Sequence, residues 1–508
     1  MIKFFANRQC YGKHSEVVLT SRGIFMPIRI LDILNFSNRR NPQADSGIQL
    51  KKELIRAILR KRNDFFFYLL VPAELEHIFK NEFRTKRVVT IPIKSIPRQQ
   101  GGAFHFDVRE LTSVLDFRRI DIDLLFVNQP ELTAPLLDLF NKIHFFDVHS
   151  FGYIHWMDWK RADNVKNRWN QPANLSILTS ILLSAVTGCN SNYGKQKILR
   201  EARLWFNADA LETIDRKLVP VWPGIEATEV AAAKTNKRFR KKTIIFPFRT
   251  QKYTGFKSLI EIYLANLWKK RKDFRILLTN PSDYDYVKNY PDRFPFVEVC
   301  QFNRQDYLET LWESDIVVGC HNGSNQWSLA AVEAIAAECI PLLNQTSFYP
   351  EMILAATPKR EWPTVVAKHL YYRSQFTERL EYLLDNLAEE KRNVKTMARR
   401  FRKFYDWQNR VDDWIRCLEL ADSVAPEITE RSKAIDSIEQ FVKANGTCSK
   451  DQILLHMNWH PKSRQISWTK YRKYLRRSVS EDSQSAVVVF SEKRPRSVAL
   501  KRARPKGR

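Results

Sequence analysis

Residues 322–343, NGSNQWSLAAVEAIAAECIPLL, decide how this chain is read. They follow an apolar run over 315–319 and read as a polar loop, a helix over 328–337 and a strand over 340–343. Glu333 falls inside the helix beside Ala331, Val332, Ile335 and Ala336, a neighbourhood that predicts partial burial. The amino end of such a helix carries unpaired N–H groups and a partial positive charge, which suit a diphosphate.

Outward from this unit, short apolar runs keep alternating with longer amphipathic stretches. In the same half, strands are expected over 243–248, 274–279, 296–300 and 315–319, with helices over 256–269 and 305–313. An earlier series has strands over 28–36, 64–71, 124–127, 144–148 and 185–189, and a helix carrying Leu50, Leu54, Ile55 and Ile58. Strands alternating with helices predict largely parallel sheets. The break VPVWPG, 219–224, separates the two series. The expected fold class is α/β, with two doubly wound, Rossmann-like domains over 1–225 and 226–425. Their sheets would face a cleft at the carboxyl ends, where such folds bind ligands. Long amphipathic helices over 374–421 complete the second domain.

Composition narrows the partners. At 508 residues, 44% hydrophobic and 12% aromatic, the chain has apolar mass for real cores, which excludes global disorder. Lys and Arg number 83 against 56 Asp and Glu, a net +27 that calls for a polyanionic partner, nucleic acid or an anionic membrane surface. Residues 470–508 hold 13 Lys and Arg against Glu481, Asp482 and Glu492. Ahead of them, Ile435, Ile438, Phe441 and Val442 recur at helical spacing. Ser449 and Ser467 suit the caps of two further helices, and 486–490 reads as a strand. Three helices and then a ribbon predict a small winged helix–turn–helix over 432–492, followed by a basic disordered tail over 493–508. Lys470, Arg472, Lys473, Arg476 and Arg477, interleaved with Tyr471 and Tyr474, are the expected nucleic-acid contacts. The seven cysteines are scattered and form no CxxC pair, so neither a disulfide framework nor a zinc ribbon is expected, and a reducing cytoplasm fits. The apolar core 175–186 falls short of the roughly 18 residues that span a membrane, so no transmembrane segment is expected. No apolar targeting segment follows the basic residues of 1–13.

Three sets of residues resemble the retaining GT-B glycosyltransferases of the glycogen- and sucrose-synthase type. That family carries two glutamates eight positions apart, the second followed by small residues and a Pro-containing strand. Glu333-Ala334, Ala336-Ala337 and Ile340-Pro341-Leu342 match, while Asn325 stands at the first glutamate. In KTIIFPFRTQKYTGFKSL, Arg249 and Gly255 fall in register with the family's donor-phosphate Arg and Gly. Thr254 stands at its lysine position, with Lys252 and Lys257 on either side. In ADSGIQLKKEL, 44–54, Ser46 and Gly47 resemble its short glycine loop, and the strand over 144–148 ends in His149, where many members place a histidine near the reacting sugar. Tyr349-Pro350-Glu351 resembles the branch that mannosylates queuosine in transfer RNA.

The resemblance implies a nucleotide-sugar donor, foremost a UDP-sugar, and no metal. Glu333 would hold the ribose, Arg249 and Lys252 the diphosphate, Ser46 and Gly47 the same phosphates from the other side, and Asn325 and His149 the sugar. With the basic module, the expected function is sugar transfer to a hydroxyl on a modified DNA base, a hydroxymethylpyrimidine of the kind viruses use to shield their genomes. The alternatives are a modified tRNA base, a cell-surface glycan, or a non-catalytic DNA-binding protein on a degenerate fold. Each residue also has a plainer reading. Glu333 is then a helix-surface carboxylate, Arg249 a salt-bridge partner, His149 a hydrogen-bond anchor, HWMDW (155–159) aromatic core, and the tail a solvated charge run.

Overall fold

The computed structural model describes residues 27–33, 46–94, 108–115, 120, 122–128, 130–142, 148–155, 157, 170–235, 239–250, 254–280, 287–321, 327–423 and 444, with strand segments at 448–449, 487–490 and 497–501. Two parallel sheets organise it. The first contains β1 (Ile28–Ile33), β2 (Phe65–Pro72), β3 (Val88–Ile93), β4 (Leu124–Val127), β5 (His149–Ile154), β6 (Val186–Cys189) and β7 (Leu218–Pro220). Their spatial order is β3-β2-β1-β4-β5-β6-β7. The second contains β8 (Lys242–Arg249), β9 (Phe274–Asn280), β10 (Val297–Val299), β11 (Ile316–Gly319), β12 (Ile340–Asn344) and β13 (Leu370–Tyr371), in the order β10-β9-β8-β11-β12-β13.

These strands form because their near-continuous apolar runs can be covered on both faces, as parallel sheets require. In the first sheet, Ile30, Phe67 and Phe126 belong to one core, while Leu31, Leu70 and Leu125 belong to the core on the opposite face. Each sheet reverses its winding once, between β1 and β4 and between β8 and β11. Ligands of open α/β sheets bind at the carboxyl ends of strands beside such reversals.

The chain crosses between the domains twice at one place. Ile225 N–H donates to the Tyr405 carbonyl at 2.7 Å, and Trp407 N–H to the Ile225 carbonyl at 3.1 Å. Gly224 fits there because a Cβ would lie 2.7 Å from the Trp407 ring. The helix Trp407–Ser423, read from sequence with the second domain, packs on the first sheet instead. Trp414 lies 4.7 Å from the Tyr153 ring and 6.3 Å from those of Phe126 and Phe151.

Three sequence expectations need correction here. The fifth strand of the first sheet is His149–Ile154, while residues 144–147 of the strand expected just before it lie outside the described residues, and Val219 and Pro220, read as part of the break, belong to an edge strand, Leu218–Pro220, of that sheet. The segment read as a disordered tail contains the strand Ser497–Lys501, antiparallel to Val487–Phe490 and to Cys448–Ser449. Val498, Ala499 and Leu500 give it the apolar content a ladder needs, which a count of its basic residues hides. The three predicted helices of the C-terminal module, with Lys470, Arg472, Lys473, Arg476 and Arg477, lie outside the described residues.

Candidate active site

At the β8/β11 reversal, two candidate segments meet. Arg249 ends β8, in register with Asn280 of β9. The loop then returns through Thr254, which is buried, to Gly255 at φ 76°. A Cβ on Gly255 would lie 2.4 Å from the Cys320 carbonyl oxygen, just past the end of β11. Glycine is therefore required twice over, by backbone conformation and by close approach. The contact sets the loop after Arg249 against the segment leading to the Glu333 helix. Lys252 and Asn325 lie in these two loops, outside the described residues.

The second loop is anchored from below. His321 Nδ1 lies 2.6 Å from the Tyr349 hydroxyl, and the His321 carbonyl accepts from Asn344 Nδ2 at 3.1 Å. Burial pushes the imidazole down to about 3, so it stays neutral as a support rather than a proton carrier. Past the loop, Ser328 caps the helix Leu329–Ala336, its hydroxyl accepting from Ala331 N–H at 3.2 Å.

Two buried hydroxyls, Thr250 beyond β8 and Thr279 in β9, have no hydrogen-bond partner among the described residues. Buried hydroxyls are nearly always satisfied, so a pair at the carboxyl ends of adjacent strands marks a place for a polar ligand or water.

Glu333 is buried, at 6% exposure, and its carboxylate pairs with Arg304 at 2.7 Å. Arg304 opens the helix Arg304–Glu313, which Asn303 caps by accepting from Asp306 N–H at 2.9 Å. The same guanidinium reaches Glu229 at 3.0 Å and Glu53 at 3.9 Å. Glu53 comes from the first domain's helix Ser46–Lys61 and accepts from Trp407 Nε1 at 2.8 Å. Burial pushes Glu53 up to about 8, against the pull of Arg304. Burial works against the charge of Arg304 too, but Glu333, Glu229 and Glu53 together more than offset it and push the guanidinium pKa above its ordinary value.

In the first domain, Ser46 and Gly47 are the first residues of the helix that follows β1, and Gly47 is buried. Beneath them Lys51 donates to both oxygens of Asp32, at 2.8 and 2.7 Å, in a fully buried pair. His149 is not where a sugar-facing residue belongs. It is the first residue of β5, aligned with Leu124 at the start of β4, so it lies at the amino edge of a parallel sheet. His155 follows the carboxyl end of β5 and carries the expected strand-end position, its carbonyl accepting from Asn190 Nδ2 at 2.8 Å.

Glu351 joins the domains. Its carboxylate accepts from the N–H groups of Asn192 and Tyr193, both at 2.8 Å, from Asn192 Nδ2 at 3.1 Å and from Trp222 Nε1 at 2.9 Å. It thereby sits on the amino end of the helix Asn192–Ala202, where a negative charge is favoured. Sequence reading singled out Glu351 only within Tyr-Pro-Glu and passed over Arg304 and Glu53, which meet across 251 positions of sequence. Among the described residues, no group of three or more His, Cys, Asp or Glu side chains converges as a metal site.

No family model and no curated protein matches the chain by sequence. Solved structures do match by shape. A sucrose-phosphate synthase from Thermosynechococcus elongatus aligns with TM-score 0.56 at 11% identity, over 78% of this chain and 100% of its own. A glycosyltransferase from Rickettsia africae aligns at 0.55 and 12% identity, over 79% and 100%. HepE of Anabaena in complex with UDP aligns at 0.54 and 11%, over 78% and 100%. The chain has the GT-B fold: two doubly wound parallel sheets joined by a double crossing.

Proposed function

We propose that this chain is a glycosyltransferase that moves a sugar from a UDP-sugar to a hydroxyl on a modified base in DNA. One observation carries the donor half of the reading. The Gly255–Cys320 approach sets the Arg249 loop against the end of β11, from which the chain leads to the Glu333 helix, beside the hydroxyls of Thr250 and Thr279, which have no hydrogen-bond partner among the described residues. That edge offers a fixed cation, helix N–H groups and hydroxyls, which together suit a nucleoside diphosphate. The UDP bound in the similarly folded Anabaena protein supports the same ligand class.

In this reading Arg249 and Lys252 stabilise the departing diphosphate, as fixed charges do where negative charge develops. Glu333 holds the ribose, Asn325 orients the sugar, and Ser46 and Gly47 meet the phosphates from the first domain. His155 replaces His149 as the histidine nearest the sugar. The family resemblance gives retention at the anomeric carbon, with the diphosphate itself assisting removal of the acceptor proton.

The acceptor half rests on charge. Thirteen Lys and Arg against three acidic residues over 470–508 would hold a phosphate backbone in register. The three-stranded antiparallel sheet at 448–449, 487–490 and 497–501 supports a winged-helix-like module there.

The test is mass spectrometry of nucleosides after incubating the protein with a panel of nucleotide sugars and DNA containing hydroxymethylated pyrimidines, with unmodified DNA and bulk tRNA in parallel. A sugar-sized increment on the hydroxymethylated nucleoside is expected. An increment on tRNA alone would move the acceptor, and donor hydrolysis without any increment would remove nucleic acid as acceptor. No binding or turnover of any nucleotide sugar would leave a non-catalytic protein on this fold.

A further inference from the structure

The geometry points to Arg304 as the positioning residue of the donor site, holding the Glu333 carboxylate in place and tying it to the other domain through Glu53. The inference rests on the donor reading above, in which Glu333 meets the ribose. Its physical basis is a charge imbalance. Three carboxylates, Glu53, Glu229 and Glu333, surround one guanidinium at 3.9, 3.0 and 2.7 Å. Lys52, nearby on the Glu53 helix, is engaged by Glu82 at 2.9 Å. Like-charged carboxylates brought this close repel one another, so a fixed cation is needed to hold them in one arrangement. A displaced Glu333 carboxylate could not present both oxygens to a vicinal diol.

Arg304 is suited to the task because a guanidinium presents several donors in a rigid fork and serves more than one carboxylate at once. Its backbone is fixed by the Asn303 cap at the start of its helix. Its reach to Glu53 crosses the domain boundary, and Trp407 at the interdomain crossing holds Glu53 from behind. The position of the donor carboxylate is thereby tied to how the two domains sit.

The test is calorimetric titration of the full-length protein with UDP, 2′-deoxy-UDP and inorganic diphosphate. Wild type is expected to prefer UDP to 2′-deoxy-UDP, and Arg304→Gln to lose at least about tenfold in UDP affinity. The UDP preference should collapse in that variant while diphosphate affinity holds. An unchanged preference in a folded Arg304→Gln protein would overturn the inference, as would an equal loss for UDP and diphosphate, the mark of a merely structural role. Should Arg304→Gln not fold, Arg304→Lys is the measured variant. It keeps the charge but not the fork, and its preference should fall at least threefold, with no change counting against the inference. Failure of the underlying reading looks different: wild type itself would bind UDP and 2′-deoxy-UDP alike.

Discussion

Glu53 and Arg304 lie in different domains, 251 positions apart in sequence, with Oε1 and Nη2 only 3.9 Å from each other. Glu53 is buried, and Arg304, Glu229, Glu333, Lys52 and the Trp407 N–H all act on it. Its pKa rises from 4.5 to about 8, so the folded state holds a proton that the unfolded chain releases. Its contribution to stability is therefore complete below about pH 4.5 and is lost as pH climbs through about 8. Glu53→Gln mimics the protonated form and should flatten that decline. Urea unfolding of both proteins at intervals from pH 5 to 9 measures it, and parallel curves would show that Glu53 is ionised throughout.

The Asp32–Lys51 pair makes a prediction in the first domain's core. Lys51 lies over the Phe126 ring, and burial pushes its amine down to about 8 even with Asp32 raising it. Asp32→Asn removes the countercharge and should cost about 3–5 kcal/mol, because an uncompensated buried charge remains. The double variant Asp32→Leu, Lys51→Met should recover most of that loss. Denaturant midpoints of the single and double variants decide it.

Gly255→Ala should cost at least about 2 kcal/mol, from a left-handed backbone and a Cβ forced toward a carbonyl. It should also weaken UDP binding, since the loop carrying Arg249 could no longer rest on Cys320. Thermal unfolding and UDP titration report the two effects separately. A variant as stable as wild type would mean that the loop is not seated there.

Glu338 is the one non-glycine residue with positive φ among the described residues, at 67°, just past the helix Leu329–Ala336. Helices commonly end with glycine in that conformation, and the Glu338 carboxylate stands 3.9 Å from Arg402, a weak pair. Glu338→Gly should therefore stabilise the protein by about 0.5–1 kcal/mol. An unchanged or lowered melting temperature would assign the side chain a role that its single long contact does not explain.

Local pattern carried much of the fold. Runs such as FFFYLL and IVVG can be little else than covered strands, and most strands of both sheets were legible from them, though the edge strands β3 and β13 were not. The register of β5 was not, because HFFDV, 144–148, is the more apolar run, while the true strand HSFGYI contains Ser150 and Gly152. Gly152 is there for space, since a Cβ would meet Thr187 Oγ1 at 3.1 Å, and no local pattern reveals that. In the candidate site, Glu333, Arg249 and Gly255 announced themselves by motif. Arg304 and Glu53 did not, because they meet across 251 positions of sequence, and Glu351 was marked only within Tyr-Pro-Glu, with no sign of its partners at Asn192 and Trp222.

The return of the helix Trp407–Ser423 to the first sheet has a consequence for synthesis. The aromatic cluster of Phe126, Phe151 and Tyr153 waits for Trp414, which the ribosome delivers only after the whole second domain has been made. The amino-terminal domain, first to emerge, must therefore be the last to close its core. A chain cut at the interdomain crossing would leave that apolar surface open.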